Sequence, residues 1–125
     1  MVKSVLIADD NALIRQGLCE LFSREADFEI CGEAENGRQA IEEAQELHPD
    51  LILLDLSMPV MNGLDAARAL TRLMPEVPIM MYSAYGDSFT QREARSAGVS
   101  ALISKSENIA VLLGKARSLV YEIAA

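Results

Sequence analysis

The sequence predicts an α/β protein: five βα units forming a doubly wound parallel sheet with helices on both faces. Two observations carry that prediction. Short apolar runs at residues 4–8, 28–32, 51–54, 79–82 and 101–103 alternate with segments of helical period, the pattern of successive βα units joined by right-handed crossovers. Leu51-Ile-Leu-Leu54 is apolar on both faces, as befits a central strand covered on both sides. At 125 residues the chain suits one domain, 1–125, with an open sheet; a closed eight-stranded barrel needs roughly twice the length.

The elements follow in order. The first run leads into a helix whose stripe is Ile14, Leu18, Leu21 and Phe22, with Arg15, Gln16 and Arg24 opposite. Residues 28–33 alternate in polarity and read as an edge strand. Ile41, Ala44 and Leu47 stripe the second helix above Glu42, Glu43 and Glu46, with Asn36-Gly37 as its cap. Leu64, Ala67, Leu70 and Met74 stripe the third, which Pro75 ends. Residues 91–97 form a short helix stopped by Gly98. The last helix, 108–124, holds Ile109, Leu112, Leu113, Ala116, Val120 and Ile123 on one face.

Composition narrows the class. The chain is 50% hydrophobic and 24% charged, ordinary for a folded protein. No apolar run approaches the roughly 20 residues needed to span a bilayer, and no signal-peptide core follows Met1, so a cytoplasmic location is expected. A formal charge of −8 argues against direct nucleic-acid binding by this domain, and no membrane association is expected. Cys19 and Cys31 lack metal-ligand spacing and read as free, packed thiols. The sole histidine, His48, sits where a helix ends before Pro49, where a cation suits the helix dipole. Met58, Met61, Met74, Met80 and Met81 read as core and gap filling.

In an open α/β sheet the functional crevice lies beyond the carboxyl ends of the strands. There the sequence sets Asp9-Asp10 after the first strand, Asp55 after the third, Ser83 after the fourth and Lys105 after the fifth. Three carboxylates in one crevice repel, and a divalent cation removes the conflict. Oxygen-only ligands favour Mg²⁺, with Mn²⁺ an alternative. Asp55 can then act as a carboxylate nucleophile that forms an aspartyl phosphate, with Lys105 and Ser83 serving phosphate oxygens. Read singly, each residue has a plainer role: Asp10 or Asn11 capping the first helix, Asp55 or Ser83 in a turn, Lys105 solvated.

Taken together, Val5-Leu-Ile-Ala-Asp-Asp-Asn11, Pro49-Asp-Leu-Ile-Leu-Leu-Asp-Leu-Ser-Met-Pro59, Met61-Asn-Gly63, Ser83-Ala84, Ala97-Gly98 and Lys105 resemble the receiver (CheY-like) domain of two-component response regulators. The resemblance implies a flavodoxin-like sheet of order 2-1-3-4-5 and a sensor histidine kinase as phosphoryl donor. It implies Asp55 as acceptor, with Asp10 ligating Mg²⁺ directly, Asp9 mostly through water and Ser57 through its backbone carbonyl. Ser83, Ala84 and Lys105 would form the phosphate-binding switch, and Ser57 and Tyr85 would tune phosphoryl lifetime. Residues 28–37 and Lys105-Ser106 most resemble receivers that precede a LuxR/NarL-type helix-turn-helix output. Whether this receiver acts alone or ahead of such a domain stays open.

Two further departures bear on the switch. Leu102 occupies the position of the family's switch aromatic, with Tyr82 and Tyr85 beside Ser83 as substitutes. Ser106 stands where proline is common, so the Lys105–Ser106 bond is expected to be trans, since a cis bond without proline costs about 3 kcal/mol. Loading is expected to shift the α4–β5–α5 face toward a partner or a homodimer. Other classes fit less well. A phosphohydrolase would want a carboxylate two positions beyond the nucleophile, where Ser57 stands, so a dedicated enzyme is not expected. A vestigial, phosphorylation-independent interaction module would not require the intact acids, serine and lysine.

Overall fold

The computed structural model describes residues 1–83 and 88–121, and of residues 88 and 89 the backbone alone. The chain runs β1 (Lys3–Ala8), α1 (Ala12–Ser23), β2 (Phe28–Ala34), α2 (Gly37–Leu47), β3 (Leu51–Asp55), α3 (Gly63–Leu73), β4 (Ile79–Ser83), α4 (Ser88–Ser96), β5 (Ala101–Ser104) and α5 (Ile109–Val120). All strand pairs are parallel, in the order β2-β1-β3-β4-β5. The predicted architecture and sheet order are therefore the observed ones.

Each helix start has a local cause. Asn11, Asn36, Asn62 and Asn108 are N-caps of α1, α2, α3 and α5, each side chain accepting from main-chain amides of the first turn. An asparagine oxygen there satisfies donors that have no partner within the helix. Asn11 caps α1, which leaves Asp10 free of that duty. His48 closes α2 in the left-handed region, φ 50°, one residue before Pro49.

Strand parity then divides the core. Leu6, Ile52, Leu54, Ile79 and Met81 pack against α2, α3 and α4. Their neighbours Val5, Ile7, Leu51, Leu53, Met80, Tyr82 and Ile103 pack against Phe22 of α1 and Leu113 and Ala116 of α5. Successive side chains point to opposite faces, so one sheet serves two cores. Met58, Met74, Met80 and Met81 are buried in them.

Several expectations shift. Ile14 and Ile109 were assigned to inward stripes, yet they are 37% and 59% exposed, because both sit at the mouth of a groove between α1 and α5. β2 extends to Ala34, and a register shift lets Cys31 bulge, Val5 pairing Ile30 while Leu6 pairs Gly32; this breaks the simple alternation. α4 begins at Ser88 and ends at Ser96 rather than spanning 91–97. α5 starts at Ile109, with residue 108 as its cap, and ends at Val120; Ile123 lies outside the described residues. No peptide bond among the described residues is cis, so Lys105–Ser106 is trans as expected.

Cys19 and Cys31 are free and half-buried. Burial and the adjacent Glu33 push the Cys19 thiol up to about 11, and burial raises Cys31 as well. At the amino ends of the strands, Arg117 of α5 donates from Nε to Asp27 Oδ2 at 2.8 Å and from Nη2 to Glu25. The Tyr121 hydroxyl lies 2.7 Å from the Met1 carbonyl and 2.8 Å from that of Asp27. No helix among the described residues is long and apolar enough to cross a membrane.

Candidate functional site

Parity also decides which polar groups meet at the carboxyl ends. Asp9 continues the Val5–Ile7 face of β1, Asp55 the Leu51–Leu53 face of β3, Tyr82 the Met80 face of β4 and Lys105 the Ile103 face of β5. All four are directed to the α1/α5 side of the sheet edge. Asp55 and Ser83 are the last residues of their strands rather than the residues after them, which fixes both more firmly than a loop would.

The three carboxylates meet as the sequence suggested. Ligand oxygens of Asp9, Asp10 and Asp55 lie within 4.8 Å of one another. Asp9 and Asp55 are buried and Asp10 is exposed. Lys105 Nζ stands 3.1 Å from Asp55 Oδ1. Burial pushes the Asp55 carboxyl above its ordinary range, the Lys105 ammonium pulls it back, and the Asp9 charge pushes it up again. Ser57 and Asp10 line an open cavity of about 560 Å³ with Met58, Pro59 and Asn62. The donor set is oxygen throughout, opens to solvent and carries excess negative charge, which fits a hard divalent ion that keeps some of its water.

The loop after Asp55 is bent sharply. Met61 N–H donates to Pro59 C=O at 2.6 Å, and Val60 between them has φ 67°. This is a γ-turn with a β-branched residue in the left-handed region, a strained arrangement. Gly63 then starts α3 against the acceptor strand. A Cβ on Gly63 would lie 2.3 Å from the Asp55 carbonyl oxygen, so only glycine fits.

Ser83 is buried at the end of β4, and its carbonyl accepts from Lys105 N–H at 2.8 Å. Ala84 and Tyr85 lie outside the described residues. Leu102 is half-buried and packs with the α2–α4 core, level with Met81; its side chain thus sits on the opposite face of the sheet from Asp55.

Two residues outside the sequence pattern of the pocket also reach it. Arg15, assigned to a solvated helix face, is 14% exposed; its Nη1 donates to the Asp9 carbonyl at 2.7 Å and its Nε to Glu33 at 3.0 Å. Helical periodicity marks where a side chain starts, and arginine is long enough to turn back. The sequence marks Tyr82 only as a stand-in for the aromatic. Its hydroxyl donates to Asp9 Oδ2, and Lys105 Nζ lies 5.0 Å from its ring centroid. Asp9 lies two strands from Tyr82, roughly 10 Å at the usual strand spacing, a span only a long side chain bridges. Burial and the Asp9 carboxylate push the Tyr82 phenol far above its usual range. The available signal was parity: Tyr82 shares its face with Asp55, its partner in register.

A buried carboxylate beside an ammonium and two further acids, at the edge of a 2-1-3-4-5 sheet, defines a class: open α/β modules with an acidic pocket at the carboxyl ends of the strands. The response regulator receiver domain model matches residues 5–117, and the chain belongs to that family, whose members are signalling modules of two-component systems. It is 41% identical to a chemotaxis protein CheY of Thermotoga maritima over 84% of this chain and 87% of that protein. It is 35% identical to the transcriptional regulatory protein LnrK of Bacillus subtilis over 84% of this chain but 47% of that protein. The chain thus spans most of one curated relative and about half of the other. The response regulator domain of Thermotoga maritima CheB superposes with TM-score 0.91 at 28% identity, covering 98% of this chain and 99% of that one. A Borrelia burgdorferi CheX–CheY–BeF3–Mg²⁺ complex matches with TM-score 0.88 at 25% identity, over 94% and 88%. A LuxR-family regulator from Aurantimonas shares the fold, with TM-score 0.92 at 23% identity over 97% and 86%.

Proposed function

We propose that residues 1–125 form one receiver domain that works as a phosphorylation switch with Asp55 as its acceptor. One observation carries the reading: three carboxylates with ligand oxygens within 4.8 Å, one of which is held 3.1 Å from the Lys105 ammonium. Asp10 would hold Mg²⁺ directly, Asp9 through water, and Asp55 and the Ser57 carbonyl would complete the protein ligands. When bound, Mg²⁺ supplies charge neutralisation for the carboxylates and for phosphoryl oxygens. In the transfer, an Asp55 oxygen attacks phosphorus of a phosphohistidine on a sensor kinase. The O–P bond forms, the N–P bond breaks, and the imidazole keeps the electron pair and takes a proton. Lys105 and the Ser83 hydroxyl, with the Ala84 amide, receive the phosphoryl oxygens; positioning and charge do most of the work.

A beryllofluoride–Mg²⁺ complex of a relative supports this reading. The family match supports a signalling switch rather than a metabolic enzyme, and a cytoplasmic location belongs to the same reading. Movement of Ser83 and Lys105 toward the phosphoryl group would shift the α4–β5–α5 face and control a partner, an output or a homodimer. Intact mass after treatment with acetyl phosphate and Mg²⁺ tests the core of the proposal. The unsubstituted chain gains one phosphoryl group and Asp55→Ala gains none; equal masses would overturn it. Oligomer size with and without beryllofluoride and Mg²⁺ tests the face.

A further inference from the structure

Asp9 is fully buried, and both of its carboxylate oxygens already accept hydrogen bonds from the protein. Oδ1 accepts from Asn11 N–H at 2.8 Å and Oδ2 accepts from the Tyr82 hydroxyl. Asp55 is met by an ammonium, and Asp10 reaches solvent. Among the described ion pairs none involves Asp9; of the cations near it, Arg15 is spent on its carbonyl and on Glu33, and Lys105 pairs with Asp55. The charge of Asp9 therefore rests on two neutral donors, and the phenol is the one supplied by a side chain. Tyr82 is 3% exposed, held by the Lys105 ammonium against its ring and by the α1/α5 core beneath.

A hydrogen bond to an ionised group is worth about twice a neutral one, so it weakens when a cation takes up the same charge. A donor to a metal carboxylate thus stabilises the metal-free pocket more than the loaded one. The oxygens of Asp9 keep lone pairs for a metal-bound water while the donors stay in place.

We propose that Tyr82 is a positioning residue that holds Asp9 in the metal-free pocket and competes with the divalent cation for its charge, setting how tightly the ion binds. This rests on the reading of the acidic pocket as a Mg²⁺ site. It gives the chain an ion affinity lower than its carboxylates alone would provide, and it makes the phenol a reporter of occupancy.

Calorimetric titration of the full chain with Mg²⁺, with and without Tyr82→Phe, decides the matter. The Phe variant, which keeps the ring and loses only the donor, is expected to bind about fivefold to tenfold more tightly. Equal or weaker binding by Tyr82→Phe overturns competition while leaving the pocket reading intact. No binding by the unsubstituted chain overturns the pocket reading and the inference with it. A second readout does not depend on the variant's fold. On adding Mg²⁺, the ultraviolet difference spectrum of the chain carrying Tyr85→Phe and Tyr121→Phe, in which Tyr82 is the one tyrosine left, should show that tyrosine shifting to shorter wavelength as its acceptor loses charge. A spectrum without that shift counts against the proposal.

Discussion

At the carboxyl ends of the strands three carboxylates face one ammonium, Lys105. At the amino ends one guanidinium, Arg117, is met by two carboxylates, Asp27 and Glu25, and stands 5.7 Å from the Phe28 ring centroid. The first cluster is partly buried and raises its central acid. The second lies near solvent and lowers Asp27 through the Arg117 hydrogen bond. One end of the sheet is held under electrostatic tension that an added cation relieves, while the other satisfies its charges internally. The two clusters thus stand at opposite ends of one sheet with opposite charge balance.

Disturbing the acceptor end should have the largest effect. Gly63→Ala drives a Cβ into the Asp55 carbonyl and is expected to cost about 3 kcal/mol, read by urea unfolding, with loss of Mg²⁺ binding. Asp55→Asn should act in the opposite sense on the metal-free chain. The folded state holds the Asp55 proton more readily than the unfolded one. Its contribution therefore makes stability fall as pH rises through and above the ordinary carboxylate range. Thermal unfolding with a chelator, between about pH 4 and 7, should show that fall reduced in Asp55→Asn, along with a higher Tm at neutral pH. A parallel fall in both chains would break the contrast drawn between the two ends.

Smaller effects sharpen the contrast. Asn36→Ala removes the cap that accepts from Gln39 N–H at 2.8 Å and should cost about 1 kcal/mol without changing Mg²⁺ affinity. Arg117→Ala should give a still smaller loss of Tm, reduced further by about 0.5 M salt, because the pair is exposed and screened. Asp27 contributes above its depressed range and loses that contribution as pH falls through it, opposite in sign to Asp55.

Much of this was legible in the residues. Asn36 was legible as a cap and Asn11 as one of two candidates, while Asn62 and Asn108 cap α3 and α5 without having been marked, although all four asparagines of the chain prove to be caps. The convergence of Asp9, Asp10, Asp55 and Lys105 follows from strand ends in a parallel sheet. What escaped were contacts made by long side chains across elements. Arg15 turns back from α1, and Tyr82 reaches over β3, and neither reach is encoded in a period. The exposure of Ile14 and Ile109 was hidden for a related reason. Periodicity names the apolar stripe of a helix but not how far along the stripe the neighbouring helix extends.

The half-buried thiols have a practical corollary. A thiol raised from 9.0 to about 11, as at Cys19, presents roughly a hundredfold less thiolate at neutral pH, and thiolate is the form that alkylating reagents attack. A cysteine introduced at exposed Val60 should therefore take a maleimide label well before the native pair. The loop beside the acceptor can then carry a dye without first stripping the chain of its own sulfur, and mass spectrometry of the singly labelled product would show whether that selectivity holds.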